Sequence, residues 1–193
     1  MFFSQKKSPE GASLLFYFAL LLCGFSNISA ADTFFEASIS AGERQLDVFR
    51  KRAPQIEDDA IFIGVAVAAY RTLSAKAAWG GVIETLQPIG RDKDIENGDG
   101  TLLGFRPINY LYRWDNNLAT ELFFGAAQYD WIKKASGYYL GGNARYYFGE
   151  RKRYAVALEY RYFQDLAHDG GPGGDQIVDG PGVGLLLYYR FGQ

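Results

Sequence analysis

The chain offers few side chains for nucleophilic or metal chemistry. Its 193 residues contain one histidine, His168, and one cysteine, Cys23. A catalytic Ser or Cys needs a base within hydrogen-bond reach, and a metal cage or a disulfide scaffold needs several His or Cys side chains. His168 stands in a Gly-rich stretch with no Ser at a matching offset. We therefore expect a solvated loop histidine, in a protein that is not an enzyme and carries no metal or other cofactor.

Acidic and Gly-rich segments could suggest ion sites. Residues 92–100 combine Asp, Glu, Asn and Gly like a calcium loop, but the Gly comes one place late and no bidentate acid follows at the required offset. The acids between Asp165 and Asp179 show no such pattern either. Residues 170–174 lead into another apolar segment and not into a helix, so they lack the aligned N–H groups that bind phosphate. We expect all of these segments to be hydrated surface loops.

A second set of charges lies at alternate positions inside apolar segments. In residues 154–163, Glu159 and Arg161 share one face with small residues and Phe163, and the other face is entirely Tyr, Val and Leu. The charged residues expected on the sparsely charged face are Glu36, Glu84, Glu121, Arg145, Glu159, Arg161 and Arg190. The polar residues expected beside them are Ser38, Ser40 and Asn143. Because unpaired buried charge is costly, we predict a hydrogen-bonded ionic network, and an ion or proton path is the alternative.

The elements that must position these charges are strands. Apolar and polar residues alternate with a period of two in eight segments, at residues 34–42, 60–71, 76–86, 102–112, 118–129, 137–148, 153–165 and 183–191. Their lengths suit tilted membrane strands, which need roughly 9 to 11 residues. No window after the first thirty residues is apolar enough for a spanning helix. One exception to the regular pattern is Pro107, which follows Arg106 and cannot donate to a ladder, so we predict a bulge or a frayed strand there.

The predicted connections alternate between long and short. The long ones are 43–59, 87–101, 130–136 and 166–182, and the short ones are 72–75, 113–117 and 149–152. This order is typical of a membrane barrel with short periplasmic turns and longer external loops. Closing the sheet also leaves no unpaired edge in lipid. We predict an all-β, eight-stranded, antiparallel, up-and-down transmembrane β-barrel, with a soluble β protein as the alternative.

Aromatic residues are expected to form girdles at the two ends of this barrel. The short-turn set is Tyr110, Tyr112, Trp114, Tyr146, Tyr147, Phe148, Tyr154, Tyr188, Tyr189 and Phe191. The long-loop set is Phe105, Tyr129, Trp131, Tyr138, Tyr160 and Tyr162. Amphipathic rings of this kind favour the two interfaces of a membrane.

The first residues have the pattern of a cleaved secretory signal. Lys6 and Lys7 precede an apolar run that ends at Cys23, and small residues follow up to Ala31. We predict that residues 1–31 are the signal and that residues 32–193 are the barrel domain, which then has no cysteine. The net charge of -2 gives no basic excess, so no nucleic-acid partner is expected. The many aromatic residues and only six prolines exclude a disordered chain.

Taken together, the signal, the eight alternating segments and the loop order resemble the small bacterial outer-membrane barrels, the family of the OmpA transmembrane domain and OmpX. The last strand alternates Leu185, Leu187, Tyr189 and Phe191 as an assembly signal does, although two residues follow the Phe. The resemblance implies an outer-membrane location in a Gram-negative bacterium. It also implies contacts with outer-membrane lipid, lipopolysaccharide and the barrel-assembly machinery, with no known oligomeric state.

The same resemblance implies a non-catalytic role in envelope integrity or in surface contact through the loops near 51–59, 90–100 and 168–182. Two alternatives stay open. One is a lipid A-modifying enzyme, but the deacylase pattern puts Gln164 and Leu166 where a His and a Ser should stand. The other is a narrow channel for small solutes or protons.

Overall fold

The computed structural model of this protein describes residues 33–50, 56–89, 100–130, 134–164, 166 and 176–191. No helix in this part of the chain is long and apolar enough to cross a membrane. The strands are β1 (Thr33–Arg50), β2 (Ile56–Thr72), β3 (Ala77–Ile89), β4 (Leu102–Arg113), β5 (Leu118–Asp130), β6 (Lys134–Phe148), β7 (Tyr154–Gln164) and β8 (Gln176–Phe191). The predicted signal, residues 1–31, lies outside the described residues.

The eight strands form one closed barrel in sequence order. Neighbouring strands are antiparallel, and β8 returns to β1 with Phe35 opposite Phe191 and Glu36 opposite Arg190. The predicted eight-stranded up-and-down barrel is confirmed. The short connections after β2, β4 and β6 lie at the same end as the start of β1 and the end of β8, and we call this the short-turn end. The opposite end is the long-loop end.

Several strands are longer than predicted. β1 runs to Arg50, β2 begins at Ile56 and β8 begins at Gln176, so much of the predicted loops 43–59 and 166–182 is strand. The ladder continues because Asp47 pairs with Asp179 and their neighbours pair in register, which satisfies the backbone beyond the apolar segments. The predicted long connection 130–136 was also wrong, because β5 runs to Asp130 and β6 begins at Lys134, and these two residues pair. His168, the acids of 92–99 and the Gly-rich 170–174 lie outside the described residues.

The predicted irregularity at Pro107 is confirmed. The register of β4 against β5 shifts between Phe105 and Ile108, so two residues of β4 oppose one residue of β5. Arg106 is buried and Ile108 is exposed. The bulge shifts the inward and outward alternation by one residue in the second half of β4.

This shift turns both Arg106 and Asn109 into the lumen, three positions apart. The Asn109 side-chain amide donates to the carbonyl of Gly80 at 3.1 Å and to the carbonyl of Arg106 at 2.8 Å. Asn109 therefore adds two hydrogen bonds to backbone carbonyls at the point where the ladder is irregular.

Candidate functional site

The lumen contains an ionic group nearer the long-loop end, which we call the upper cluster. It consists of Glu84, Arg106, Tyr139, Glu159 and Arg161. Arg106 donates to Glu84 through Nε at 3.0 Å and to Glu159 through Nη1 at 3.3 Å. Arg161 donates to Glu84 at 3.0 Å and to Glu159 at 2.8 Å. Because the two carboxylates meet two guanidinium groups, the cluster has no net charge.

Tyr139 reaches this cluster across two strands. Its hydroxyl donates to Glu84 at 2.5 Å, from β6 to β3. A Cβ at Gly125 would lie 2.7 Å from the tyrosine Cζ, and a Cβ at Gly104 would lie 2.5 Å from its hydroxyl. These two glycines on β5 and β4 leave the space in which the Tyr139 ring lies.

A second ionic group, the lower cluster, lies nearer the short-turn end. Glu36 accepts hydrogen bonds from Arg145 at 2.6 Å and from Arg190 at 2.9 and 2.6 Å. Glu121 accepts a hydrogen bond from Arg145 as well. The side chains that complete this cluster are hydrogen-bonded to these four residues: Tyr70, Asn143 and Tyr147. The lower cluster is also neutral, with two acids and two bases.

Pairing explains how so many charges can be buried. Removing an ion from water is costly, and that cost is offset only where geometry and additional hydrogen bonds are good. Aromatic rings add to the pairing, since Arg106 lies 3.9 Å from the Phe123 ring centroid and Arg145 lies 4.0 Å from that of Tyr188. Each guanidinium of the two clusters is therefore surrounded by acceptors and ring faces.

The structure brings together all seven charged residues that the sequence pattern placed on one face. Of the polar residues expected beside them, Ser38 and Asn143 are buried and Ser40 is half-buried. Sequence reasoning missed Arg106 as a member, because the bulge at Pro107 was expected but not the direction in which it turns Arg106. It also missed the luminal tyrosine hydroxyls. The alternation placed Tyr70 on the inward face, and a hydroxyl on a charged inward face is a signal for such a partner.

Arg44 is a second buried arginine that the sequence did not indicate, because its position was predicted to be loop. Its Nη2 donates to the carbonyl of Gly100 at 3.1 Å and to the hydroxyl of Tyr129 at 3.3 Å. Its Nε and Nη1 are buried and have no hydrogen-bond partner among the described residues. Arg44 thus differs from the four luminal arginines that are paired with carboxylates.

Side chains fill the lumen between and above the clusters. The cavity between them has a volume of about 10 Å³, the space of about one water molecule. Above the upper cluster lies an apolar layer whose members are each at most 1% exposed: Leu46, Leu86, Leu102, Phe163 and Leu166. The described part of the interior is a packed core and not a pore.

The outer wall has the opposite character. Large apolar side chains cover it at alternate positions, and Leu122, Val67 and Leu185 are 67%, 62% and 62% exposed. A continuous apolar belt around a closed barrel with an ionic interior is unfavourable in water and is what a bilayer requires. The chain is a transmembrane β-barrel protein.

Most of the predicted girdle residues lie on the outside of this transmembrane barrel. Tyr138, Tyr160 and Tyr162 are exposed near the long-loop end. The exposed aromatics near the short-turn end are Tyr110, Trp114, Tyr146, Phe148, Tyr154 and Phe191. Phe105, Tyr112 and Tyr189 are half-buried on this wall, and Trp131 lies outside the described residues.

Three of the girdle predictions were wrong. Tyr129, Tyr147 and Tyr188 are buried in the lumen. They stand next in sequence to outward positions, and the strict alternation of a strand turns each of them to the other face.

No protein-family model matches the chain, and no curated protein sequence matches it. Several solved structures are similar in fold. Neisserial surface protein A has 11% sequence identity and a TM-score of 0.49, with 84% of this chain and 98% of that chain covered. Ail, the attachment invasion locus protein of Yersinia pestis, has 12% identity, a TM-score of 0.42 and coverage of 81% and 98%. OprG from Pseudomonas aeruginosa has 10% identity, a TM-score of 0.47 and coverage of 84% and 97%.

Proposed function

We propose that this outer-membrane barrel is a non-catalytic and non-conducting scaffold, which contributes to envelope integrity or surface contact through its long-loop end. The observation that carries the proposal is the filled lumen. Two neutral ionic clusters, a cavity of about 10 Å³ between them and an apolar layer above leave no wet route through the described interior. A channel needs such a route, since ions cross only where water or polar groups replace their hydration.

The orientation follows from the loops. Short turns are periplasmic and longer loops are external in barrels of this kind, so the short-turn end faces the periplasm in this proposal. The belt then contacts the lipids of the outer membrane, and the long-loop end is the part that meets lipopolysaccharide. The assembly machinery recognises the last strand, where Leu185, Leu187 and Phe191 are exposed on one face.

Planar-bilayer recording tests whether the lumen is sealed. The mature chain refolded into a bilayer is expected to give no steady conductance. Glu84→Ala together with Arg161→Ala removes one carboxylate and one guanidinium from the upper cluster and is expected to produce flickering openings. Leu103→Ala, on the lipid face, is the control and is expected to behave like the unmodified chain. Steady openings of the unmodified chain would contradict the proposal.

A deletion strain tests the non-catalytic role. Loss of the protein is expected to increase the sensitivity of the cells to detergent or bulky antibiotics, without a change in the acyl chains of lipid A by mass spectrometry. His168→Ala is expected to complement the deletion fully, because the role proposed here needs no imidazole. Failure of this variant to complement, together with an altered lipid A mass, would favour the enzyme.

A further inference from the structure

The short-turn end contains a cavity of about 720 Å³, which the two luminal clusters do not fill. All three short turns and the ends of β4, β6 and β8 line it. We call it the basic vestibule after its cationic residues, which are Lys76, Arg113, Arg151, Lys152, Arg153 and Arg190. Its volume is in the range of small-molecule sites, roughly 300 to 1,000 Å³.

The vestibule has a large excess of positive charge. Asp115 is the one acidic residue among those that line it. The Asp115 carboxylate already accepts the backbone N–H groups of Asn117 at 2.6 Å and Leu118 at 2.7 Å. Apart from Arg190, which Glu36 neutralises, the described residues provide no ion pair for Lys76 or Arg113. The cations that the third turn contributes at positions 151 and 152 form no salt bridge with the described residues either, although Lys152 lies near enough to Asp115 to help lower the pKa of that carboxyl.

Two of the guanidinium groups share one aromatic ring. The Arg113 Cζ lies 5.6 Å from the ring centroid of Tyr147, and the Arg190 Cζ lies 4.9 Å from it. Tyr147 thus holds the Arg113 guanidinium, which has no carboxylate partner among the described residues, at the mouth of the lower cluster. An anion in the vestibule would supply that missing partner.

Backbone hydrogen bonds fix the frame that carries the cations. The N–H of Arg113 donates to the carbonyl of Lys76 at 2.7 Å, which joins the first turn to the second. The N–H of Arg190 donates to the carbonyl of Arg153 at 2.8 Å, which joins the third turn to β8. Because the frame is held in this way, a ligand would lose little free energy in ordering it.

We propose that the basic vestibule binds a small anion with several phosphate groups. A phosphate group carries up to about two negative charges, so two of them match the four cations at positions 76, 113, 151 and 152. Guanidinium groups of the kind present at positions 113 and 190 bind phosphate oxygens through paired N–H groups. An acidic peptide would need four or five carboxylates to supply the same charge.

Isothermal titration of the refolded mature chain with inorganic tripolyphosphate tests this proposal. The chain is held in nanodiscs of zwitterionic lipid. One saturable site per barrel is expected, with an affinity that falls as salt rises. Arg113→Gln together with Lys152→Gln is expected to weaken binding at least about tenfold. Lys152→Gln alone, in an exposed turn, is expected to weaken it measurably and serves if the double variant fails to refold.

The matched control is Arg71→Gln, which removes the same charge from an exposed side chain at the end of β2 that does not line the vestibule. Its affinity for tripolyphosphate is expected to change less than about twofold. Equal losses in the control and in Lys152→Gln, or no saturable binding, would overturn the proposal. So would an acidic peptide that binds more tightly than tripolyphosphate and depends on the same residues.

Nanodiscs that contain phosphatidylglycerol distinguish the source of the phosphate. If lipid headgroups occupy the vestibule, the apparent affinity for tripolyphosphate falls in these nanodiscs, and the loss disappears in the double variant. If the ligand is a soluble phosphate compound, the affinity is the same in both lipids. Either result supports a phosphate site, and neither depends on whether the lumen conducts.

Discussion

At the scale of single residues, the contribution of a buried charge to the stability of the fold depends on its partners. Arg161 lies in the upper cluster with two carboxylates within hydrogen-bond distance. Arg44 is equally buried, but its only acceptors among the described residues are a carbonyl and a phenolic hydroxyl. The two arginines have the same side chain and the same burial, so a comparison of them isolates the effect of pairing.

We expect Arg161→Met to lower the free energy of unfolding by about 3 to 5 kcal/mol, because it leaves Glu84 and Glu159 short of positive charge. Arg44→Met is expected to leave that free energy unchanged or to raise it, because it removes a buried charge that no carboxylate of the described residues pairs with. Urea unfolding in lipid vesicles, followed by tryptophan fluorescence, measures both. An equal loss in the two variants would show that Arg44 is as well paired as Arg161.

Asp115 shows the same dependence in a turn outside the membrane. The N–H groups of Asn117 and Leu118 hold the pKa of its carboxyl below the ordinary value of 3.8. A carboxyl whose folded pKa is lowered stabilises the fold above its unfolded pKa, and this contribution is lost as the pH falls through the folded pKa. We expect Asp115→Ala to be less stable than the unmodified chain at neutral pH and the difference to shrink at about pH 2.

Urea midpoints at the two pH values measure this effect. Asp115→Asn keeps an acceptor oxygen without the charge, so its difference from Asp115→Ala is expected to be the same at both pH values. If Asp115→Ala instead shows the same deficit at both pH values, the charge of this carboxylate has no role in the turn.

At the scale of strands, small residues decide which side chains can cross the lumen. β5 and β4 present glycines where the Tyr139 ring passes to Glu84. β3 has a further glycine, Gly81, where an added Cβ would meet only the Arg106 carbonyl, at an ordinary 3.6 Å. The glycines of β4 and β5 therefore make room for the Tyr139 ring, whereas Gly81 of β3 does not have this role.

We expect Gly125→Ala to lower the free energy of unfolding by about 1 to 3 kcal/mol, because its Cβ overlaps the Tyr139 ring. Gly81→Ala, the matched control, is expected to change it by less than about 0.5 kcal/mol. Heat-modifiable gel migration confirms that each variant forms a barrel before its urea midpoint is measured. A neutral Gly125→Ala would mean that Tyr139 can move aside without loss.

At the scale of the whole molecule, the barrel reverses the usual arrangement of a soluble protein. Its charges are at the centre and its apolar side chains are outside, and this arrangement requires closure. An open sheet would leave two rows of unpaired backbone groups in lipid. The pairing of β1 with β8 removes those edges and also places Glu36 opposite Arg190.

Cysteine substitution along β7 tests this arrangement, since residues 32–193 contain no cysteine. Val156→Cys and Leu158→Cys are expected to react with a lipid-soluble maleimide in membranes. Ala155→Cys and Ala157→Cys, at positions that are 0% and 2% exposed, are expected to resist both lipid-soluble and water-soluble reagents. Protection of the first pair with labelling of the second would mean that the apolar face is a buried core.

The sequence determined the strand number, the antiparallel order and the inward face of seven charged residues. These follow from a period of two, which is a local property of the chain. The predicted connection lengths were less accurate, because β5 ends at Asp130 and β6 begins at Lys134. Pro107 marked the irregular point of β4 because a missing N–H is visible in the residue type itself. Seven luminal charges could be named because their alternate positions within apolar segments are visible in the sequence.

The tertiary structure decided which of those charges meet. Arg161 donates to Glu84, which is 77 residues away, and that distance closes only when β7 and β3 face each other across the lumen. It also decided that β1 continues as strand past its apolar segment and takes Arg44 into the interior. Contacts across a closed barrel depend on register and shear around the whole sheet, and no single segment of the sequence contains that information.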